Sequence, residues 1–306
     1  TGDPQGKGKA WAKQYGFPEK NIYHYNEIEQ IRNNPDIDFV HIVTPNGLHA
    51  AHTIAVAKAG KHVFCEKPMA ITSAECEEMI EACKKAGVLL GVNYRLHWEP
   101  HHLKMMELTK NKTYGELKSI DAEFSWKRGD NKPWLLDKKM AGGGAFFDTG
   151  VYTIQAGCYL TNDQPIRVTA IPTTTRDVYK PGIEETMSAI FEFPKGVVLS
   201  SRASYAYQYN IFNAVSENGS IICDSVWQFG QSYKGKPSIK SLKLPGNQTF
   251  KAEGTLQLAV IHDAFAASIL NKTPFKTTGE MGLRDIKITE AVYRSVASGK
   301  TETIIY

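Results

Sequence analysis

The fold class is decided by residues 39–70, which read FVHIVTPNGLHAAHTIAVAKAGKHVFCEKPMA. Two short strand-like runs, 39–43 and His62–Cys65, enclose a helical stretch over 49–59 that Gly60 ends. Glycine adopts the left-handed conformation that closes many helices. Strands that are mostly apolar and separated by helices are typical of a parallel sheet covered on both faces. The stretch therefore predicts a βαβ unit with a right-handed crossover.

The alternation of strand and helix continues towards residue 98. Thr72 and Glu75 have the T-x-x-E spacing of a capping box, which starts a helix. Gly87 ends that helix, and residues 88–92 predict a third buried strand. The apolar face of the helix repeats with the spacing i, i+3, i+4, i+7, at Cys76, Met79, Ile80 and Cys83. The first part of the chain is therefore predicted to be an α/β domain.

The pattern changes near residue 115. Residues 115–127 alternate like a long strand, and residues 144–160 read as a helix. Turn signals such as Asn218-Gly219 separate a series of β-rich runs, at 166–175, 185–193, 197–205, 211–217 and 220–223. Two helices, about 255–270 and 279–297, close the chain. This order predicts a second, α+β domain with an antiparallel sheet and helices on one face.

The composition excludes several classes of protein. The 306 residues are 42% hydrophobic and 22% charged, as in an ordinary globular protein, and the length allows two domains. A net charge of +4, spread along the chain, gives no reason to expect a nucleic-acid partner. No apolar run approaches the ~20 residues of a membrane span. The five cysteines, without a CxxC pair, are expected to be buried reduced thiols.

Two loops leave predicted strands at their carboxyl ends, where open parallel sheets bind ligands. One loop runs from Thr44 to His49, and the other is Glu66-Lys67-Pro68. A lysine and a glutamate side by side at this edge indicate a functional site. The alternative is a solvated lysine before a turn proline.

A glycine-rich segment precedes the predicted helix of the second domain. Residues 142–144 are three glycines, which allow close approach of the backbone to a neighbour. Asp148 and Tyr152 are four residues apart and share one helix face, so an acid and a phenol could meet one ligand. A neighbouring apolar stripe is formed by Phe147, Val151, Ile154 and Cys158. The alternative is an Asp favoured by the helix dipole, with Tyr152 as amphipathic surface.

The motifs in this order resemble the Gfo/Idh/MocA oxidoreductase family, and within it the glucose-fructose oxidoreductase-like branch. The resemblance rests on E-K-P followed by G-G-G-x-x-x-D-x-G-x-Y, and on segments 43–49, 65–69, 94–100, 282–285 and 290–295. It implies an α/β Rossmann-type parallel sheet over residues 1–98, then an α+β domain with a large, mostly antiparallel sheet over residues 99–306. That second sheet is expected to form a homodimer or tetramer.

The resemblance also implies roles for individual residues. The catalytic set is Lys67, Asp148 and Tyr152. The residues expected to bind the cofactor are Thr1, Gly2, Asp3, Lys7, Thr44, Pro45, Asn46, His49, Glu66 and Lys67. The residues expected to meet the substrate are Tyr94, Arg95, His97, Asp148 and Tyr152. The cofactor is expected to be NADP, with NAD as the alternative, because Asp3 favours NAD whereas Lys7 could meet a 2′-phosphate.

Two features depart from the family pattern. The dinucleotide fingerprint G-x-G-x-x-G is absent, and Thr1-Gly2-Asp3 resembles the loop after the family's second strand. A βαβ unit needs about 30 residues, so a first βα unit of that size is expected to be missing. In addition, Trp134-Leu135 stands where relatives often have Trp-Arg, which removes one expected cation near the cofactor.

The resemblance implies hydride transfer between a sugar hydroxyl carbon and nicotinamide. Tyr152 would take the hydroxyl proton, with Lys67 stabilising the phenolate and Asp148 orienting the substrate. Two alternatives stay open: an NAD-dependent glycosidase of the same family, and a non-catalytic sugar-binding remnant. No metal site is expected, because no carboxylate or cysteine set accompanies His97, His101 and His102. The compartment stays open between periplasm and cytoplasm.

Overall fold

In the computed structural model, the described residues are 1–128, 133–179, 182–224, 227, 240–252 and 255–306. Among them, one sheet has three strands and a second sheet has nine. Each sheet has its own buried hydrophobic cluster. In the part of the chain that is described, no helix combines the length and apolar character needed to cross a bilayer. All five cysteines are buried thiols, as predicted.

The three-stranded sheet is parallel, as the sequence predicts. Its strands, in spatial order, are β1 (Phe39–Ile42), β2 (His62–Cys65) and β3 (Leu90–Val92). The helices of this part are α1 (Lys9–Tyr15), α2 (His49–Lys58) and α3 (Ser73–Ala86). Both hydrogen bonds of the capping box are present at Thr72 and Glu75. Gly60 and Gly87 have φ values of 74° and 67°, so each closes its helix in the left-handed conformation.

The nine-stranded sheet is antiparallel except for one parallel pair, β4 with β7. The spatial order is β11-β10-β9-β8-β4-β7-β6-β5-β12. The strands are β4 (Leu117–Ser125), β5 (Arg167–Thr173), β6 (Thr186–Glu192), β7 (Val198–Ser204), β8 (Tyr209–Ser216), β9 (Gly219–Asp224), β10 (Lys240–Leu244), β11 (Gln248–Ala252) and β12 (Glu302–Thr303). The sequence predictions missed the last three, because these strands are short and carry charged residues within their apolar pattern.

Helices cover one face of the large sheet. The helices of this part of the chain are α4 (Pro100–Lys110), which was not predicted, α5 (Lys138–Ala141), α6 (Val151–Thr161), α7 (Gln257–Asn271) and α8 (Gly279–Ser298). Helices α4, α6 and α8 contact the sheet, and α8 also contacts α3 and β3. Strand residues on the helix side, such as Met187 and Phe191, are fully buried, whereas Ile190 on the other side is 50% exposed. The α+β arrangement with helices on one face is therefore confirmed.

Candidate active site

Lys67 lies at the carboxyl edge of the parallel sheet, two residues after β2 ends. Its Nζ donates hydrogen bonds to Oδ1 of Asp148 at 2.9 Å and to the main-chain oxygen of Asp148 at 2.8 Å. The side chains are only 13% and 22% exposed, respectively. The E-K-P loop and the segment after the three glycines, 81 residues apart in the chain, thus meet in one ion pair.

The second carboxylate oxygen of Asp148 is also bound. Oδ2 accepts a 2.7 Å hydrogen bond from the phenol of Tyr205, which is fully buried, and Arg128 lies 3.7 Å away. Burial raises the pKa of Asp148, but Lys67 and then Tyr205 and Arg128 outweigh it, so the pKa is lowered overall. Burial lowers the pKa of Lys67, but Asp148 and the neighbouring Tyr152 and Glu66 outweigh it, so the pKa is raised. Both members of the pair are therefore charged.

The ring of Tyr152 lies between two cations. Lys67 Nζ is 5.0 Å from the ring centroid, and Arg95 Cζ is 5.1 Å from it. Phe124 packs edge-on against the ring at 5.3 Å. Cations at this distance are attracted by the ring and also stabilise negative charge on a phenolate oxygen. Lys67, Asp148 and Tyr152, the predicted catalytic set, are thus neighbours in one cluster.

The glycine-rich segment is held by one buried carboxylate. Glu184 accepts hydrogen bonds from the backbone N–H of Gly144 at 3.0 Å and of Phe146 at 2.9 Å, and from the phenol of Tyr293 at 3.0 Å. A Cβ on Gly144 would lie 1.9 Å from the main-chain oxygen of Glu184, so only glycine fits there. Gly144 thus approaches protein backbone, whereas Gly142 and Gly143 approach the side chains of Phe147 and Tyr293.

The segment after the glycines begins as a π-helical turn, Phe146–Gly150, before α6 starts. The predicted apolar stripe is divided by this geometry. Phe147 and Val151 pack in the cluster of the parallel sheet, whereas Ile154 and Cys158 pack in the cluster of the large sheet. π-Helical turns are frequent at functional sites. This turn places Asp148 between the two cores.

Glu66 is fixed beside Lys67 by two polar neighbours. Its Oε1 accepts a 2.7 Å hydrogen bond from Nδ2 of Asn93, and Nε2 of His41 lies 3.5 Å from the same oxygen. Burial raises the pKa of Glu66, but His41, Asn93 and Lys67 outweigh it and the pKa is lowered. Glu66 is therefore an anion with a defined orientation.

The loop after β1 is tied to its neighbours. Nδ2 of Asn46 donates to the main-chain oxygen of Ala141 at 2.8 Å, and Pro45 precedes the turn Asn46–Leu48. The ring nitrogens of the fully buried His49 lie 2.8 Å from the oxygen of Thr44 and 3.0 Å from that of Pro68. Burial is the main cause that lowers the pKa of His49. His49 therefore connects these two loops, and its expected contact with the cofactor stays a prediction.

Tyr94, Arg95 and His97 are all buried, with exposures of 4%, 3% and 6%. Their expected contact with the sugar substrate stays a prediction. Nε2 of His97 pairs with Oε1 of Gln155 at 2.8 Å, and burial lowers the pKa of His97 to about 4. Burial also raises the pKa of Tyr94. Gln155, from the second half of the chain, is therefore the partner of Nε2 of His97.

Arg95 contacts the candidate site from behind Tyr152. Its Nη2 donates to the main-chain oxygen of Trp227 at 2.5 Å, and its Nη1 donates to Gln257. Because these contacts hold the guanidinium against the tyrosine ring, Arg95 acts on the site through Tyr152.

The segment from Thr1 to Lys7 forms a tight turn. Both carboxylate oxygens of Asp3 accept backbone hydrogen bonds, from Gly6 and Lys7 at 2.9 Å each, and these bonds lower the pKa of Asp3. Gly2 lies close to the ring of Tyr25, where a Cβ would come within 3.2 Å. Asp3 therefore stabilises the turn.

A cavity of about 530 Å³ opens beside this turn. Thr1, Lys7 and Thr44, three of the predicted cofactor-binding residues, line it. The Nζ of Lys7 lies 4.4 Å from the ring centroid of Trp11. The cavity thus offers an ammonium and two hydroxyl side chains beside mostly apolar walls.

Sequence reasoning missed three residues that hold the cluster together, namely Tyr205, Arg128 and Glu184. Tyr205 begins an alternating aromatic stretch, 205–209, and is completely buried. Neither Arg128 nor Glu184 carries a local motif. Within the described ranges, no group of His, Cys, Asp and Glu has metal-site geometry.

Comparison with known proteins supports the resemblance seen in the motifs. A model of the oxidoreductase family with an NAD-binding Rossmann fold matches residues 3–94, and a GFO/IDH/MocA C-terminal domain model matches residues 102–222. The structure of an aldose-aldose oxidoreductase from Caulobacter crescentus superposes with a TM-score of 0.90. It is 32% identical, and the match covers 98% of this chain and 89% of that one.

Two curated relatives extend the comparison. The 1,5-anhydro-D-fructose reductase of Ensifer adhaerens is 26% identical over 301 residues, covering 97% of this chain and 88% of the relative. A D-xylose 1-dehydrogenase (NADP+) of Haloferax volcanii is 25% identical over 297 residues, and the match covers 96% of this chain and 88% of the relative. Given both domain matches and the shared fold, this chain belongs to the Gfo/Idh/MocA family of NAD(P)-binding oxidoreductases.

Proposed function

We propose that this protein transfers hydride between a hydroxyl-bearing carbon of a sugar and a nicotinamide cofactor. The observation that carries the proposal is the contact of Lys67 with both Asp148 and the ring of Tyr152. An ammonium, a carboxylate and a phenol at the carboxyl edge of a parallel sheet suit proton transfer at a bound ligand. Relatives named for an aldose, an anhydro-sugar and xylose support a sugar as the substrate.

Each member of the cluster has a distinct task. Tyr152 accepts the proton of the substrate hydroxyl as the adjacent carbon gives up its hydride, and returns it in the reverse direction. Lys67 stays cationic and stabilises the phenolate through its charge. Asp148 fixes Lys67 through Oδ1, and its remaining lone pairs can still accept a hydrogen bond from a substrate hydroxyl. When bound, the nicotinamide ring accepts or supplies the hydride.

The residues present fit a dinucleotide. At the cavity beside the turn, Lys7 and Thr1 supply an ammonium and a hydroxyl suited to a phosphate group, which favours NADP. Glu66 lies next to Lys67, and together with Thr44 and Asn46 it supplies groups suited to the nicotinamide ribose. NAD remains the alternative cofactor, and the contact that would distinguish NADP from NAD is the one made by Lys7.

We also propose the division of the chain into a cofactor domain (1–98) and a substrate and assembly domain (99–306). The face of the large sheet opposite the helices carries exposed apolar side chains, with Ile171 65% and Ile190 50% exposed. A homodimer or tetramer that buries this face would account for them. Light scattering on Ile190→Glu tests this: a lower mass than the parent supports it, whereas an unchanged mass, as expected for the exposed control Leu270→Glu, contradicts it.

The proposed reaction is tested with Lys67→Ala. We expect the rate of NADP⁺ reduction with aldoses to fall by about a hundredfold or more, the usual range for loss of acid–base assistance. Lys84→Ala, on the last turn of α3, is the matched control. A rate within a few-fold of the parent contradicts the proposal. Release of free sugar from a glycoside, without net change of the cofactor, would favour the glycosidase alternative.

A further inference from the structure

A buried chain of hydrogen bonds connects helix α8 to His97. Nε and Nη2 of Arg284 both donate to Oδ1 of Asp285, at 2.9 and 2.8 Å. The other oxygen of Asp285, Oδ2, accepts from Nε2 of Gln155. Oε1 of the same amide lies 2.8 Å from Nε2 of His97. The chain therefore joins α8, through α6, to the turn that begins at Arg95.

This chain lies next to the residues proposed for catalysis. Gln155 follows Tyr152 by about one turn of α6. Arg95, at the start of the turn that contains His97, lies against the ring of Tyr152. Nζ of Lys276 donates to the main-chain oxygen of His97 at 2.8 Å, so the backbone of the turn is held as well. His97 is thus fixed beside the candidate site.

The direction of each hydrogen bond follows from the charged end of the chain. Burial raises the pKa of Asp285, and the charge of Arg284 opposes that effect. Two charged N–H groups directed at one oxygen favour the carboxylate form. Because a carboxylate only accepts, the amide of Gln155 turns its NH₂ group towards Asp285 and its oxygen towards His97. An amide oxygen also only accepts, so Nε2 of His97 carries a proton.

The other ring nitrogen of His97 is left as an acceptor. Burial is the main cause that lowers the pKa of His97 to about 4, so the ring is neutral at neutral pH. A neutral imidazole carries one proton, which Nε2 already holds, and Nδ1 is therefore bare. Among the described residues Nδ1 has no hydrogen-bond partner, and it is not one of their fully buried atoms without a partner. Nδ1 is thus open to solvent or to a ligand.

We propose that Arg284, Asp285 and Gln155 are positioning residues that fix His97 as the Nε2–H tautomer, whose Nδ1 accepts a hydrogen bond from one hydroxyl of the sugar. This contact determines specificity, because a hydroxyl can donate to Nδ1 whereas a carbonyl or ether oxygen cannot. The contact with the sugar rests on the proposed function. The tautomer does not, since it follows from the hydrogen bonds of the protein alone.

The tautomer is measured by ¹⁵N NMR of the His97 ring in the intact protein at neutral pH, without cofactor or sugar. We expect a proton on Nε2 and a bare Nδ1. A proton on Nδ1, alone or together with one on Nε2, would overturn the proposal, whatever the activity of the protein. This measurement on the parent protein decides the tautomer by itself and requires no variant to fold.

Asp285→Asn should reverse the tautomer. The guanidinium of Arg284 keeps the amide oxygen of the new side chain, so the new NH₂ group faces Gln155, whose amide turns its oxygen towards it. Gln155 then presents its own NH₂ group to Nε2 of His97, and the proton of the ring moves to Nδ1. The control is Glu280→Gln, exposed on the first turn of α8, which should keep the parent tautomer. An unchanged tautomer in Asp285→Asn would overturn the positioning role.

The contact with the sugar is measured with aldoses in which fluorine replaces one hydroxyl at a time, because fluorine cannot donate a hydrogen bond. For one of these analogues we expect the parent protein to have a KM about tenfold higher than for the unmodified aldose, as for loss of one hydrogen bond. In Asp285→Asn, whose Nδ1 carries a proton, this difference in KM should disappear. The same difference in both proteins, or none in the parent, would overturn the contact with the sugar. Absence of NADP⁺ reduction with every aldose would instead contradict the proposed function on which this contact rests.

Discussion

The phenol of Tyr205 donates a 2.7 Å hydrogen bond to Oδ2 of Asp148, while Lys67 binds Oδ1 of the same carboxylate. A residue from the end of the large sheet thereby fixes the ion pair that supports Tyr152. Arg128 stacks against the Tyr205 ring, with 5.2 Å between its Cζ and the ring centroid, and holds the ring in place. The candidate site is therefore built from both sheets.

Tyr205→Phe should slow turnover without emptying the core, because only the hydroxyl is removed. The loss of one hydrogen bond predicts a decrease in kcat of roughly fivefold. Tyr205 is also one cause of the lowered pKa of Asp148, so the acid limb of the pH–rate profile should move to higher pH. A merely structural effect would lower the rate without moving that limb. The matched control is Tyr209→Phe, because the side chain of Tyr209 is 51% exposed. This variant should leave kcat and the acid limb unchanged.

Asp148→Asn should change the pH range in which Lys67 is charged. Burial lowers the pKa of Lys67, and Asp148 is the main group that outweighs it, so its loss lowers that pKa. The alkaline limb of the rate profile should therefore move to lower pH than in the parent. A pH–rate profile from pH 5 to 11 measures this, and an unmoved alkaline limb would show that Lys67 does not depend on Asp148.

The same pair affects stability with a defined sign. Asp148 has a lowered pKa, so its contribution is present above its usual value of 3.8 and is lost as pH falls through the folded value. Lys67 has a raised pKa, so its contribution is present below 10.5 and is lost as pH rises through the folded value. Between these two pH values, we expect Asp148→Asn to have a lower free energy of unfolding than the parent, because the variant lacks both contributions. Chemical denaturation measures this.

The sequence predicted the elements that depend on local pattern. The apolar run ending at Cys65, the glycines that end α2 and α3, and the capping box at Thr72 each involve neighbours in the chain. The i, i+4 spacing of Asp148 and Tyr152 likewise placed both side chains beside Lys67. These features follow from short-range geometry, which a single sequence contains.

The partners of the site were not predictable, because tertiary packing selects them. Tyr205 is 57 positions from Asp148, and Glu184 is 40 positions from Gly144. His49 and His97, whose residue types suit a ligand site, have buried protein partners that the sequence did not indicate. Whether an imidazole faces a cleft or a buried partner, such as Gln155 for His97, depends on segments distant in sequence.

Glu184→Gln should destabilise the glycine-rich segment. The carboxylate accepts from Gly144, Phe146 and Tyr293, whereas an amide has one acceptor oxygen and would present an NH₂ group to a donor. We expect the free energy of unfolding to fall by about 1–3 kcal/mol. Urea denaturation measures this.

The control for Glu184 is Glu192→Gln, which breaks an exposed ion pair with Arg167 and should cost under ~1 kcal/mol. Burial raises the pKa of Glu184, so the folded state holds its proton more tightly than the unfolded state. Stability from this group therefore decreases as pH rises above 4.5, and that slope should be absent in the variant. Equal losses in the two variants would contradict a special role for Glu184.

Lys7→Ala tests the choice between the two cofactors. Both oxygens of Asp3 already accept backbone hydrogen bonds, whereas the ammonium of Lys7 lines the cavity beside Thr1. A cation at this position interacts with a 2′-phosphate but has no equivalent partner on NAD. We expect the KM for NADP⁺ to rise about tenfold and that for NAD⁺ to stay within twofold, as for loss of one charged hydrogen bond. The control is Lys13→Ala, on the last turn of α1, which should change neither KM. An equal rise in the KM for both cofactors would contradict the contact with the 2′-phosphate and place Lys7 elsewhere on the dinucleotide.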